Sequence, residues 1–201
     1  MSGSDWPAAR RGLRVGLLGG SFDPPHEGHR AISRIALHRL GLDRVWWLLS
    51  PGNPLKPDPP ASLDRRMTAA QKLLAADTRI VPTALESLLG TRYTADTLQA
   101  LTHRYPNVRF VWLMGSDNLA EFHRWRQWQR IFQTVPIAVL ARPGSRARAG
   151  LSPAARTFAA YRLPPDMARA LAARRPPAWT MLSHPLNSLS STSIRERGQW
   201  T

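Results

Sequence analysis

Two histidines near the start of the chain have the type and spacing that phosphate chemistry requires. They close the segment GGSFDPPHEGH, which runs from Gly19 to His29. The glycine pair would let a phosphate approach the backbone without meeting a Cβ atom. Because His26 and His29 are three residues apart at the expected start of a helix, both imidazoles can face the same bound group. The unpaired N–H groups of that helix start would also attract an anion. The segment therefore predicts an anion-binding site with two proton-bearing side chains.

The segment also allows other interpretations. Gly19 and Gly20 could form a tight turn beside incidental histidines, or the histidines could be a zinc pair, although no third ligand stands at a recognisable spacing. The segment contains neither G-x-G-x-x-G nor G-x-x-x-x-G-K-[ST]. A nicotinamide-dependent dehydrogenase and a P-loop NTPase are therefore disfavoured.

The elements that must position this segment alternate between strands and helices. Short apolar runs predict buried strands at residues 13–19, 45–49, 108–114 and 137–141. Helical spacing predicts a helix that begins near Gly28, a second over 63–74 with Ser62 as its N-cap, and a third over 94–103 capped by a threonine. We therefore expect an α/β fold, a Rossmann-like doubly wound parallel sheet. In such a sheet, ligands bind beyond the carboxyl ends of the strands.

The domain organisation is expected to be simple. Residues 1–12 form a polar leader, and residues 13–201 form one domain with a short C-terminal helical part. Residues 50–60 are rich in proline and predict a loop after the second strand. The arginine-rich stretch 145–177 contains alanine-rich parts that could form short helices.

Composition limits the class of protein. The 201 residues are 43% hydrophobic and 20% charged, which disfavours disorder, and no apolar run reaches the roughly 20 residues needed to cross a bilayer. The absence of cysteine excludes disulfides, thiolate catalysis and Cys-ligated metals, and it favours the cytoplasm. The formal net charge of +15 predicts attraction to polyanions such as nucleotides, phosphates or nucleic acid.

Five segments together resemble a known family. The run H-x-G-H at 26–29 is similar to the hallmark of a nucleotidyltransferase superfamily, and LSSTSIR at 189–195 resembles its second signature, I-S-S-T-x-I-R. GSDNL at 115–119 with Trp125, TADTL at 94–98 and GNPLK at 52–56 resemble segments of the bacterial nicotinate mononucleotide adenylyltransferases. The resemblance implies adenylyl transfer from ATP to nicotinate mononucleotide, in NAD biosynthesis.

The resemblance also implies roles for particular residues. The catalytic residues it implies are His26, His29, Lys56 and Arg195. The residues it implies for ATP binding are Gly19, Gly20, Ser21, Phe22, His26, His29, Gly115, Asp117, Ser190, Ser191, Thr192 and Arg195. Those it implies for nicotinate mononucleotide are Lys56, Thr94, Thr97, Trp125 and Arg142. We expect Mg²⁺ to be bridged by the ATP phosphates, with Asp117 as a possible protein ligand.

Structural alternatives accompany several of these roles. Lys56 could be a solvated loop charge, and Asp117 could be a helix N-cap. Trp46, Trp47 and Trp112 are expected to pack in the core, whereas Trp128 belongs to the core or its rim.

Four other functions compete with adenylation of nicotinate mononucleotide. The closest use another acceptor within the superfamily, phosphopantetheine, glycerol phosphate or nicotinamide mononucleotide. From a different class, a basic RNA-binding protein would explain the charge but neither signature segment. We therefore expect no specific nucleic acid and no membrane partner, and either a monomer or a homodimer.

Overall fold

The fold is built on one sheet of parallel strands. The computed structural model describes residues 6–52, 60–141, 145–183, 191–196, 198 and 200, with only the backbone of residues 192, 193 and 196. The strands are β1 (Arg14–Gly20), β2 (Arg44–Leu49), β3 (Ile80–Thr83), β4 (Arg109–Gly115), β5 (Ile137–Ala141), β6 (Arg162–Leu163) and β7 (Trp179–Ser183). They form a seven-stranded sheet in the order β3-β2-β1-β4-β5-β7-β6, and every pair is parallel. The predicted doubly wound α/β class is confirmed.

Helices connect the strands. They are α1 (Glu27–Arg39), α2 (Leu63–Leu73), α3 (Leu85–Leu89), α4 (Thr94–Arg104), α5 (Ser116–Glu121), α6 (Trp128–Thr134), α7 (Arg146–Gly150), α8 (Pro153–Thr157) and α9 (Ser191–Glu196). Short 3₁₀ segments cover Phe122–Arg124, Ala159–Tyr161 and Pro165–Ala173. Within the described residues, no helix is long and apolar enough to cross a bilayer.

The four predicted strands are confirmed to within one residue, whereas β3, β6 and β7 were not predicted. The cap of α2 is also confirmed, since the Ser62 hydroxyl accepts the backbone N–H of Arg65 at 3.3 Å. The threonine cap expected for α4 is wrong. That helix begins at Thr94 itself, and the N-cap residue is Tyr93, which is extended and provides no side-chain hydrogen bond.

The two faces of the sheet carry separate cores. Successive strand residues point to opposite faces, so Trp46 and Trp112 lie on one face and Trp47 lies on the other. The Trp46 face packs against α4 and α6, and the Trp47 face packs against α1 and α2. All three tryptophans are buried, as predicted. Trp128 lies at the rim, where it is partly buried against Phe132 and Phe158.

The strand order creates a crevice at the carboxyl edge of the sheet. The connection after β1 leads to α1 on one face, whereas the connection after β4 leads to α5, whose Leu119 belongs to the opposite core. Because β1 and β4 are neighbours in the sheet, their connections diverge to opposite faces at this edge, which is where sheets of this class bind ligands. The predicted site segment, residues 19–29, lies at this position.

Candidate active site

The loop after β1 has a strained residue at its centre. Phe22 has φ +48°, in the left-handed region that residues other than glycine adopt rarely. Its buried ring stacks on Trp47, and it also lies against the imidazole of His29, with 4.7 Å between ring centroids in each case. This packing compensates the backbone strain and fixes the loop that leads to the histidines. Since the Phe22 ring is in the core, only its backbone is left for the predicted ATP contact.

His26 and His29 cap the helix that they begin. The Nδ1 atom of His26 accepts the backbone N–H of Gly28 at 3.1 Å, and the Nδ1 atom of His29 accepts the backbone N–H of His26 at 3.3 Å. The two bonds form a capping box made of imidazoles. Because each Nδ1 accepts a hydrogen bond, the proton of each neutral ring must reside on Nε2. The ring centroids are 3.9 Å apart, so the two imidazoles form one paired group.

Helix α9 lies against the loop after β1. The Ser191 hydroxyl donates to the carbonyl oxygen of Pro24 at 2.9 Å. The guanidinium of Arg195 donates to the carbonyl oxygen of Asp23 and lies 3.7 Å from the Asp23 carboxylate. The structure therefore brings together the two sequence motifs that stand about 170 residues apart.

A buried arginine from α2 fixes the same region. Arg66 is 1% exposed, and its guanidinium donates to the carbonyl oxygens of Ser21, Ser50 and Ala61 at 2.7 to 2.8 Å. Burial lowers the pKa of the Arg66 guanidinium, and the negative charge of Asp23 opposes this effect. Arg66 thus ties the loop after β1 to the end of β2 and to the start of its own helix.

Two expectations about the strand ends need correction. A Cβ atom on Gly19 would lie 2.5 Å from Cη2 of Trp112, so the missing side chain makes room for a core tryptophan rather than for a phosphate. Asp117 is not an N-cap, because the N-cap of α5 is Gly115. Asp117 is instead exposed in the first turn of α5, at the carboxyl end of β4.

The start of α4 and the segment around Trp125 lie side by side. The guanidinium carbon of Arg126 is 4.5 Å from the centre of the Tyr93 ring, and Tyr93 immediately precedes α4. Trp125 is partly buried and packs on Phe122, with 4.9 Å between ring centroids. The Thr97 side chain is fully buried, and its hydroxyl forms a hydrogen bond with the Thr91 hydroxyl, with 2.8 Å between the two Oγ1 atoms. Thr94 thus stands at the helix start, whereas Thr97 faces the interior.

Comparison with known proteins identifies the family of the chain. Residues 17–197 match the family described as Cytidylyltransferase-like. A protein of Cereibacter sphaeroides (strain ATCC 17025) named "Probable nicotinate-nucleotide adenylyltransferase" is 61% identical over 186 residues, which cover 92% of this chain and 98% of the relative. The protein of the same name from Ruegeria sp. (strain TM1040) is 55% identical over 189 residues, 94% of this chain and 100% of the relative. The chain belongs to the nicotinate-nucleotide adenylyltransferase family.

The fold of this nicotinate-nucleotide adenylyltransferase family member is also found in solved structures. One is the Plasmodium falciparum nicotinic acid mononucleotide adenylyltransferase complexed with NaAD, which superposes on this chain with a TM-score of 0.69 and 16% sequence identity. The match covers 92% of this chain and 83% of that chain. The same P. falciparum enzyme complexed with APC has a TM-score of 0.67 with 15% identity, at the same coverage.

Some of the predicted site residues fall outside the described part of the chain. Lys56, Arg142 and Ser190 lie outside the described residues, as does the side chain of Thr192. Their roles stay predictions.

Sequence reasoning also missed residues that the structure brings to the site: Asp23, Arg66, Arg126 and Trp200. Only Arg66 left a signal in the sequence. It falls on the same helical face as Leu63 and Ala70, where a charged residue is unexpected.

Proposed function

We propose that the protein transfers the adenylyl group of ATP to nicotinate mononucleotide, giving nicotinate adenine dinucleotide and pyrophosphate. The observation that carries this proposal is the contact of Ser191 and Arg195 with the loop that leads to His26 and His29. These contacts bring the starts of α1 and α9, the paired imidazoles and the Arg195 guanidinium together at the carboxyl edge of the sheet. The names of relatives at 55% and 61% identity support the same reaction.

The chemistry requires positioning more than proton transfer. A phosphate oxygen of the mononucleotide forms a bond to the α-phosphorus of ATP, and the bond from that phosphorus to the bridging oxygen of the β-phosphate breaks. A phosphate monoester has a second pKa of about 6 and is mostly a dianion at neutral pH, so the nucleophile needs no general base. The site must instead hold two anions that repel each other in line and stabilise the charge of the transition state.

The paired histidines suit this task. Because each Nδ1 accepts a backbone N–H, a neutral ring carries its proton on Nε2, and we assign this N–H to the phosphate oxygens. Arg195 adds a cation from α9, Ser191 holds that helix on the loop through its hydrogen bond to Pro24, and the start of α1 adds its dipole. We assign the ATP phosphates to these groups and the α-phosphorus to the neighbourhood of the two imidazoles.

The nicotinate end is assigned to the start of α4. Tyr93 gives that helix no side-chain cap, so its first N–H groups can receive a carboxylate. Arg126 lies beside Tyr93 and adds a positive charge, while Trp125 offers an indole face to the electron-poor ring. A carboxylate is favoured over a neutral carboxamide in such a field, which is why we propose the acid rather than the amide substrate.

Magnesium is expected to arrive with ATP. Within the described residues, no group of three His, Cys, Asp or Glu side chains is arranged to hold a metal ion. The exposed carboxylate of Asp117, at the end of β4, is the protein group that we assign to it. Mg²⁺ bound to the triphosphate would neutralise charge on the phosphate oxygens. A cytoplasmic location, a monomer or homodimer, and the absence of a specific nucleic-acid partner stay predictions.

The test is a direct assay of both products. Purified protein with ATP and Mg²⁺ should release pyrophosphate and form a dinucleotide with nicotinate mononucleotide. Turnover should be faster than with the amide mononucleotide, and phosphopantetheine should give none. Faster reaction with the amide would overturn the substrate assignment. Salt-dependent RNA binding without any turnover would favour the basic binding protein instead.

A further inference from the structure

Trp200 lies beyond the second motif and folds back onto the loop after β1. Its indole Nε1–H donates to Oδ1 of Asp23 at 2.7 Å. The guanidinium carbon of Arg65 lies 4.3 Å from the centre of the Trp200 ring. Trp200 therefore joins α2, through Arg65, to the loop that leads to His26. Neither Trp200 nor Arg65 has a role in the proposed reaction so far.

The Asp23 carboxylate contacts Trp200, Ala61 and Arg195. The residue is only 8% exposed, and burying a carboxylate is tolerated when its oxygens accept hydrogen bonds. Oδ1 accepts the Trp200 indole and, at 3.4 Å, the backbone N–H of Ala61, while Oδ2 lies 3.7 Å from the guanidinium of Arg195. Arg195 also bonds to the carbonyl oxygen of the same residue. Asp23 thus contacts Arg195 twice, through its carbonyl oxygen and, at a longer distance, through its carboxylate.

We propose that Trp200 is a positioning residue for the ATP phosphate subsite. Its indole N–H orients the Asp23 carboxylate, and its stacking on Arg65 fixes the ring. Asp23 in turn holds Arg195 and α9 against the loop that carries the histidines. The inference rests on the proposed function, because it assigns the ATP phosphates to α1 and α9. A charge-assisted hydrogen bond suits this role, since it is stronger and more directional than a neutral one.

The kinetic consequence is selective for one substrate. Trp200→Phe keeps an aromatic ring for Arg65 but removes the N–H donor. We expect the KM for ATP to rise about three- to tenfold, less than the full loss of a charge-assisted hydrogen bond, because Trp200 acts on ATP only through Asp23 and Arg195. The KM for nicotinate mononucleotide should change less than twofold, because its proposed subsite lies at α4. Trp200→Ala, which also removes the stacking, should raise the KM for ATP further.

The chain offers a matched control. Trp6 also stacks under an arginine, with the guanidinium carbon of Arg104 at 3.8 Å from the centre of its ring, at the C-terminal end of α4. Trp6→Phe makes the same chemical change away from the proposed ATP subsite and should leave both KM values unchanged. Asp23→Asn keeps an oxygen for the indole but loses the charge that faces Arg195. It should therefore reproduce the rise in KM for ATP.

A spectroscopic measurement separates positioning from general destabilisation. The chain has eight tryptophans, so ¹⁵N-labelled protein should give up to eight indole N–H signals, and the one missing from Trp200→Phe belongs to Trp200. This signal should shift when Asp23 is replaced by Asn and when ATP is added, and it should be insensitive to nicotinate mononucleotide. The melting temperature of Trp200→Phe should fall by only a few degrees, the cost of one hydrogen bond to a buried carboxylate.

The outcomes separate this inference from the proposed function. Native protein that makes no dinucleotide overturns the proposed function itself. Active native protein together with an unchanged KM for ATP in both Trp200 variants overturns the positioning role alone. An equal loss for both substrates that follows a fall in melting temperature also overturns it. A selective rise in the KM for ATP with the indole signal shifted by ATP supports it.

Discussion

His26 and His29 have two tasks in the proposed site, because each ring caps helix α1 through Nδ1 and is also assigned to the ATP phosphates. The backbone N–H groups of Gly28 and His26 occupy the two Nδ1 atoms, which fixes the orientation and the tautomer of each neutral ring. The H-x-G-H spacing therefore matters twice. It brings both imidazoles to one helix start, and it lets them cap that helix reciprocally.

Replacing His29 should separate these two functions. His29→Ala removes one proposed phosphate donor, and we expect kcat to fall by about 10² to 10³. Losing the cap should lower the free energy of unfolding by only about 1 kcal/mol. Steady-state kinetics and thermal melting measure the two effects. His38→Ala, an exposed position on the same helix, is the control and should change neither. A near-normal kcat in His29→Ala would remove the catalytic role.

A second residue-scale feature is the buried carboxyl group of Glu86 on α3. Glu86 is 6% exposed, and its Oε1 accepts a hydrogen bond from the Thr97 hydroxyl at 3.4 Å. Burial raises the pKa of Glu86 to about 7, and the Thr97 bond opposes the rise only in part. In the unfolded chain the same group has its ordinary pKa near 4.5.

The sign of the pH effect follows from these two values. Between about pH 4.5 and pH 7 the unfolded chain has released this proton while the folded protein retains it, so stability falls as pH rises. Glu86→Gln removes the titration, since glutamine stays neutral. The variant's free energy of unfolding minus that of the native protein should therefore increase from pH 5 to pH 8, by about 2 to 3 kcal/mol. Denaturant unfolding at both pH values measures this difference. Glu121→Gln, at an exposed site, should show no such change.

At the scale of elements, the site depends on how helices are tied to the strand ends. Arg66 is central because its three bonds join the loop after β1, the end of β2 and the start of α2. A planar guanidinium has several donors in a fixed geometry, which matches three carbonyl oxygens at once. Lysine lacks this geometry.

Replacing Arg66 should therefore destabilise the protein strongly. Arg66→Leu leaves three carbonyl oxygens without this donor, and we expect unfolding to become easier by about 3 to 5 kcal/mol. The free energy of unfolding of Arg66→Lys should lie between those of Arg66→Leu and the native protein. Lys72→Leu, an exposed change in the same helix, should stay within about 0.5 kcal/mol. Denaturant unfolding measures all three. A loss below about 1 kcal/mol in Arg66→Leu would show that water replaces the guanidinium.

At the scale of the whole molecule, the net charge of +15 acts on two anionic substrates. A positive field raises the local concentration of anions near the site and speeds their encounter with it. Salt screens such a field, with a Debye length of about 10 Å at 0.1 M and about 3 Å at 1 M.

The reaction should therefore weaken with ionic strength. Between about 0.05 M and 0.5 M KCl, at saturating Mg²⁺, we expect kcat/KM for nicotinate mononucleotide to fall several-fold, with kcat little changed. Initial-rate kinetics over a salt series measure this dependence, and sucrose at matched osmolality is the control. A kcat/KM that does not respond to salt would show that the positive charge plays no part in substrate capture.

The sequence alone determined the fold class and the location of the site. The uninterrupted apolar runs of β1, β2, β4 and β5 required a sheet covered on both faces, and the carboxyl ends of parallel strands meet at one edge. Chemistry-bearing residues directly after β1 were therefore certain to lie at that edge. Local patterns of this kind need no knowledge of distant contacts. The short strands β3, β6 and β7 were missed because two to five residues give too little pattern, and β3 also contains Pro82.

The surroundings of the histidines depend on contacts between distant parts of the chain. Arg195 and Trp200 contact Asp23 across more than 170 positions in the sequence. The spacing of apolar residues along the chain does not indicate such a contact. Position 19 likewise requires glycine because of a residue on a neighbouring strand, since a Cβ atom there would collide with the Trp112 ring. Periodicity reports the environment of a residue within its own element. The partner that a side chain meets depends on how elements pack, because packing brings together atoms that the linear order keeps apart.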